Sequence, residues 1–199
     1  MSEFWTAWPD VMRKKLGAPA RKISIDAGFT CPNRDGTVGT GGCIFCSNEA
    51  FSPSVKINQL SIEEQIRKSL IRFRANGKKE RYLAFFQPFS NTHAPVDKLE
   101  ELYSRALQVE GIDGLIVSTR PDCVDAPKAE LLKKLAINHY VSLELGVQSI
   151  YEESLTWMNR GHDYSAVKDA ISLFADSQID ICLHVILGLP GEGGESAKA

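Results

Sequence analysis

No run of about twenty apolar residues occurs in the 199-residue sequence, so nothing in it reads as a membrane-spanning helix. Its start, Met1-Ser-Glu-Phe-Trp-Thr-Ala-Trp-Pro9, lacks the basic-then-apolar order of a secretory leader and is amphipathic instead. Neither sign of charge dominates: 23 Lys and Arg stand against 25 Asp and Glu, a net charge of -2. There is therefore no basic stripe of the kind nucleic-acid binders usually display, and the short run Gly77-Lys-Lys-Glu80 reads as a solvated turn. No segment is low in complexity. Five cysteines, an odd number with three close together, do not make a disulfide framework. These absences leave a soluble domain with no membrane partner, expected in the cytoplasm with reduced thiols. With 43% hydrophobic residues it can bury a real core.

What is present has a regular order. Short apolar runs rich in β-formers alternate with amphipathic helical patterns, the mark of repeated βα units and a parallel sheet. Strands are expected at 22–29, 81–87, 113–118, 140–147 and 180–187, and helices at about 61–76, 94–109, 126–137 and 163–177. Ser61 with Glu64 forms a capping box for the first of these helices, and Asp163 or Ser165 can open the last. Polar, proline or glycine residues follow the strands, as in Gln87-Pro-Phe-Ser90, Ser118-Thr-Arg-Pro-Asp122, Gly146-Val-Gln-Ser149 and Gly188-Leu-Pro-Gly191. In a barrel of parallel strands these ends share one face, where active sites are built. Any one of them is also ordinary loop chemistry.

Cys31, Cys43 and Cys46 lie in a glycine-rich stretch after the first strand. Cys-x2-Cys with a third cysteine is a zinc pattern, and it is also three-quarters of the ligand set of a 4Fe-4S cluster whose fourth iron is left open. The four histidines are all far downstream, and a second cysteine pair, usual in zinc knuckles, is missing. The eleven residues from Pro32 to Gly42 suit a flexible loop around a bulky inorganic group, given the Asp35-Gly36 turn and the further glycines. Iron is the favoured reading and zinc stays open. Cys123 and Cys182 stand apart and read as structural.

Strands and cysteines together resemble the radical S-adenosylmethionine (radical SAM) enzymes, in the branch of the Elongator catalytic subunit and the oxygen-independent coproporphyrinogen oxidases. The likeness is greatest to the YhcC/YtqA-type proteins of that family. Their first two cysteines are separated by a long loop, and Cys31 to Cys46 with Phe45 before the last cysteine fits that variant. The resemblance runs from Lys22 to Gly191. It implies a partial (β/α)6 TIM-type barrel of the radical SAM kind, residues 22–199, preceded by an N-terminal extension, residues 1–21, that packs on it. With five strands visible, the chain reads as truncated after the fifth. Phe4, Trp5 and Trp8 of the extension are expected to cover the barrel's open side, a substrate lid being the other reading.

The resemblance further implies that Cys31, Cys43 and Cys46 hold a 4Fe-4S cluster and that SAM chelates the open iron. One electron, from a donor such as a flavodoxin or ferredoxin, then cleaves SAM to methionine and a 5'-deoxyadenosyl radical that abstracts hydrogen from substrate. The same carry-over places Gln87 near the methionyl ammonium, where the family's glycines are missing, and Ser118 and Gln148 near the ribose. Arg160 falls at the methionyl carboxylate, a task that suits a planar guanidinium, although it could instead be an exposed salt-bridging residue. His184 falls at the ribose or adenine. Relatives acting on wobble uridines make tRNA an expected substrate, against the missing basic stripe. Two rivals remain: a zinc-stabilised binding domain without catalysis, and an inactive fragment.

Overall fold

The computed structural model describes residues 5–47, 60–75 and 77–193. Phe4 lies outside the described residues. Twelve elements follow one another among the described residues. Helix α1 (Trp8–Leu16) precedes β1 (Ala20–Ile25), and α2 (Ile62–Arg74) leads to β2 (Arg81–Phe86). Helix α3 (Val96–Leu107), β3 (Gly114–Thr119), a short 3-10 turn (Pro121–Cys123), α4 (Ala126–Ala136) and β4 (Tyr140–Gln148) come next. The described chain closes with α5 (Glu152–Trp157), α6 (Ser165–Ser172) and β5 (Asp180–Val185).

All five strands are parallel and lie in sequential order, so each crossover adds its strand beside the last and the sheet curves without closing. This is a partial TIM-type barrel, with five strands among the described residues. The period-two alternation of the strands sorts the core. Tyr82, Ala84 and Phe86 of β2 face the helical layer and join Ile66, Leu99, Tyr103 and Leu143 in the main core. Leu83 and Phe85, between them, face the concave side with Ile116 and meet Met12 of α1. Being covered on both faces explains why β2 reads as a continuous apolar run.

Two helices were not foreseen. α1 has Pro9 and Asp10 in its first turn and Arg13, Lys14 and Lys15 in its last, an arrangement that complements the helix dipole. It packs Met12, Val11 and Trp8 on the concave face and leaves Trp5 exposed, so the N-terminal segment contributes apolar cover to that face. The first strand starts at Ala20, inside the segment assigned to the extension. The second unforeseen helix, α5, is a single short turn-and-a-half whose pattern is too brief to show a period. The last expected helix shrinks to Ser165–Ser172, and Asp163 acts as its capping side chain by accepting from the Ala166 amide. The capping box of Ser61 and Glu64 forms with both of its hydrogen bonds.

Helices α2 and α3 are tied by a two-pronged ion pair, Arg105 Nε to Glu63 Oε1 at 2.7 Å and Nη2 to Oε2 at 2.9 Å. That hydrogen bonding holds the Glu63 carboxyl down at about 2, against an ordinary 4.5. A carboxyl depressed by folding stabilises the fold above its unfolded value, and the contribution disappears as pH falls through 4.5 toward 2. The pair is partly solvated, so its worth is about 1 kcal/mol rather than the full shift. Urea unfolding of Arg105→Met is expected to show that deficit at neutral pH and to converge with the parent chain at the acid end. A deficit independent of pH would mean lost packing of the arginine stem instead.

Candidate cofactor site at the strand ends

The cysteine loop is a closed structure rather than the flexible one expected from its glycines. The Cys31 carbonyl accepts from the Arg34 and Asp35 amides, the Pro32 carbonyl from Val38 and Gly39, and the Asn33 carbonyl from Gly42. These bonds fold Pro32–Gly42 back on itself. Gly42 is obligatory there: its φ is +80°, and a Cβ would meet the Arg34 guanidinium at 2.7 Å. Outside contacts then fasten the loop. Asn33, fully buried, donates from Nδ2 to the Asn159 carbonyl at 2.5 Å and to Cys43 Sγ at 3.5 Å. Asn159 returns a bond from its own Nδ2 to the Gly42 carbonyl at 2.9 Å, and His93 Nε2 meets Asp35 Oδ2 at 3.0 Å. Removing the Asn33 amide by substitution with alanine leaves buried groups unpaired, at a cost of about 1–3 kcal/mol. Expected is a loop that opens more readily, read as faster alkylation of Cys43 than in the parent chain.

One cavity of about 400 Å³ opens at this end of the sheet, a size suited to a small ligand. Its lining contains every site residue expected from the sequence: Cys31, Cys43, Cys46, Gln87, Ser118, Gln148, Arg160 and His184. Gln87 donates from Nε2 to Ser24 Oγ at 2.9 Å. The Ser118 carbonyl accepts from Asn91, which fixes the turn after β3. Gln148 sits where the β4–β5 register slips between Gly146 and Gln148, with φ at 72°. Such bulges re-aim side chains at the rims of sheets.

Arg160 is not the exposed surface arginine of the alternative reading. It is 6% exposed, donates from Nη2 to the Gly146 carbonyl and lies with Nη1 3.5 Å from Cys43 Sγ. Its Nε has no partner, although it is buried. Gly146 makes room for it, since a Cβ there would stand 2.9 Å from Arg160 Nη2 and 2.8 Å from Gln148 Nε2. The Arg160 carbonyl is held in turn by Arg120 Nη1 at 2.8 Å, while Arg120 grips Asp122 with two bonds at 2.9 and 2.8 Å.

Lys22, Arg120 and Glu144 also line the cavity and were not picked out from the sequence. Glu144 is a buried carboxylate with Lys22 on Oε1 and His184 Nε2 3.1 Å from Oε2. Burial alone would raise its proton affinity, but these two partners outweigh that and keep it ionised. His184 is pushed up to about 9 by its hydrogen bonds with Cys182 and then Glu144. Of the two cysteines read as structural, Cys123 is: burial drives its thiol up to about 12, the range of an inert core thiol. Cys182 is exposed and stands beside His184 on the concave face, outside the core.

The donor set can be tested against the groups it might hold. Cys31, Cys43 and Cys46 are all free thiols. A tetrahedral zinc, with Zn–S of about 2.3 Å, draws sulfurs to roughly 3.8 Å from one another. Among the described residues the only three potential ligands whose atoms all lie within 4.8 Å are Glu144, Cys182 and His184, so the three loop sulfurs are spread more widely than that. A wider spread suits a polynuclear iron-sulfur group, and the unpaired Nε of a buried cation beside it suits an anionic ligand.

Known proteins bear on this geometry. The model of the Radical SAM superfamily matches residues 33–199. Protein YhcC of Escherichia coli K12 is 38% identical over 185 residues, which take in 92% of this chain and 58% of that protein. The chain thus spans under two-thirds of that relative's length. The tRNA uridine(34) acetyltransferase of Methanocaldococcus infernus is 36% identical over 84 residues, 42% of this chain and 15% of that protein. Among solved structures, the archaeal Methanocaldococcus infernus Elp3 with an N-terminal deletion overlays with a TM-score of 0.64 at 18% identity, covering 87% of this chain and 39% of that one. That overlay supports the sheet order on its own, while the sequence match takes in two of the three clustered cysteines and the strand ends that wall the cavity. The chain belongs to the radical SAM superfamily.

Proposed function

We propose that this chain binds a 4Fe-4S cluster through Cys31, Cys43 and Cys46 and S-adenosylmethionine in the adjoining cavity, and acts as a radical SAM enzyme. The observation that carries the reading is Arg160: a buried cation with a donor to spare, set against Cys43 in the cavity of the three free thiols. When bound, cluster and SAM supply the one-electron chemistry that ends in hydrogen abstraction from substrate. The protein's share is to hold and shield them. Arg160 offers Nε to the methionyl carboxylate, with its other nitrogens anchored on Gly146 and Cys43. Gln148 and Ser118 stand on the β4 and β3 walls for the ribose, and Gln87 stands at the β2 end near the methionyl ammonium. His184 serves the nucleoside through the part of its ring that Glu144 leaves free. α1 and the apolar concave face below the cavity keep water from that side.

The electron donor is a flavodoxin or ferredoxin, and the compartment is the cytoplasm, where free thiols stay reduced. No helix among the described residues is long and apolar enough to cross a membrane. tRNA is the proposed substrate, on the similarity to a protein named as a tRNA uridine(34) acetyltransferase. The test is anaerobic reconstitution with iron and sulfide, followed by electron paramagnetic resonance of the reduced protein. A cluster signal that changes on adding SAM is expected. A chain that takes up no iron, or a cluster indifferent to SAM, overturns the proposal. tRNA is supported if it raises SAM turnover by the reconstituted chain and rejected if it does not.

A further inference from the structure

β4 and β5 bring together a second cluster of metal-binding side chains, none of them from the cysteine loop. In the parallel register Glu144 stands opposite Cys182, and Gly146 opposite His184. Cys182 and His184 are two apart on β5 and so share a face, the concave one, with Glu144. One ligand atom from each of the three residues lies within 4.8 Å of the others. No other described trio of such residues meets that condition.

We infer that Glu144, Cys182 and His184 form a mononuclear divalent-metal site, suited to zinc, whose fourth position opens into the cavity. Thiolate, imidazole and carboxylate are the three ligand types zinc accepts, and three protein ligands with one open position is the pattern of reactive zinc sites. Tetrahedral coordination by these atoms needs separations of roughly 3.3–3.6 Å. Glu144 Oε2 and His184 Nε2 are already 3.1 Å apart, so they need only part slightly, and Cys182 closes from within 4.8 Å. Lys22 is bonded to Oε1 of the same carboxylate and therefore leaves Oε2 to face the imidazole. This is the supporting shell that orients ligands in metal sites. The buried carboxylate, its side chain 3% accessible, fixes one corner, while His184 at 49% leaves a way in for the ion. Two anionic ligands balance the ion's charge, and the Lys22 cation then answers an anionic group at the open position. Glu144 and His184 line the same cavity as the three loop cysteines, so a ligand on the ion faces the space assigned to SAM or substrate.

This inference does not depend on the cluster, and its test is arranged to keep the two apart. In a chain with Cys31, Cys43 and Cys46 all changed to serine, cobalt(II) replaces zinc as a coloured probe. One equivalent is expected to bind, with tetrahedral absorption and a thiolate charge-transfer band. Cys182→Ser should remove that band, and Glu144→Gln or His184→Asn should each abolish stoichiometric uptake. If the serine variant does not fold, the parent chain carrying its reconstituted cluster serves instead. Its zinc content should then fall from one per chain to none on Glu144→Gln or His184→Asn, with iron unchanged. No uptake overturns the site, and so does uptake that survives the loss of Glu144 or His184.

Discussion

Changing Cys43 to alanine is expected to reduce iron and sulfide uptake to background, the largest single effect foreseen for this chain. Cys43 is the most enclosed of the three loop cysteines, 7% exposed, with the other two partly open to solvent. Asn33 Nδ2 and Arg160 Nη1 both stand 3.5 Å from its sulfur, so the side chain is held in place from two sides. With it gone, two thiolates remain for a cluster that normally takes four protein ligands and already has only three. Removal of Cys123 is the control. Its thiol is buried in the core and held up to about 12, so Cys123→Ala should keep its iron. The measurement is iron per chain after anaerobic reconstitution, with circular dichroism to show that each variant is folded. Full iron content in Cys43→Ala would sink the ligand assignment.

How far such residues can be found without a structure depends on the physical signal each one leaves. The five strands were legible because their β-rich residues recur between amphipathic helical patterns; β2 and β3 are buried on both faces and read as dense apolar runs, whereas β1 and β5 are partly exposed edges that keep the β-rich pattern. The order of those strands followed from the helices between them. α1 was missed because nine residues, with Met12 the one fully buried side chain, make a pattern too short to stand out. Cysteines betray themselves by rarity and spacing, and Arg160 and Gln148 came only through family resemblance. Glu144 left a signal that was overlooked, a charge in the middle of Ser142-Leu-Glu-Leu-Gly146, where every second residue faces the cavity. Lys22 on β1 and His184 on β5 both reach Glu144 on the concave face, so the alternation rule applied to each strand in turn picks out the polar group. Asn33 could not be found that way. Its partners, Asn159 and Cys43, are joined to it by loop geometry that no periodicity encodes.

The second large effect is expected at Arg160, where binding of SAM should fail while the cluster survives. In Arg160→Met the apolar stem still fills the buried space beside Gly146, but the guanidinium that faces the cavity is gone. Hydrogen bonds to a charged group contribute about 1.5–3 kcal/mol. Losing that contact to a carboxylate should therefore weaken SAM binding by roughly 10- to 150-fold. Arg160→Lys keeps the charge but not the fork and should recover only part of the loss. The readout is the SAM concentration that half-converts the resonance of the reduced cluster, taken per cluster so that any loss of iron is divided out. This separates two roles for the same side chain. Arg160 Nη1 approaches Cys43 Sγ and its carbonyl is gripped by Arg120, so it also braces the cysteine loop. A bracing role alone would lower iron content and thermal midpoint together and leave the SAM titration of the surviving clusters where it was. A role in holding SAM moves the titration at constant cluster content. Only the second result is compatible with an Nε left unpaired in the interior for a ligand's sake.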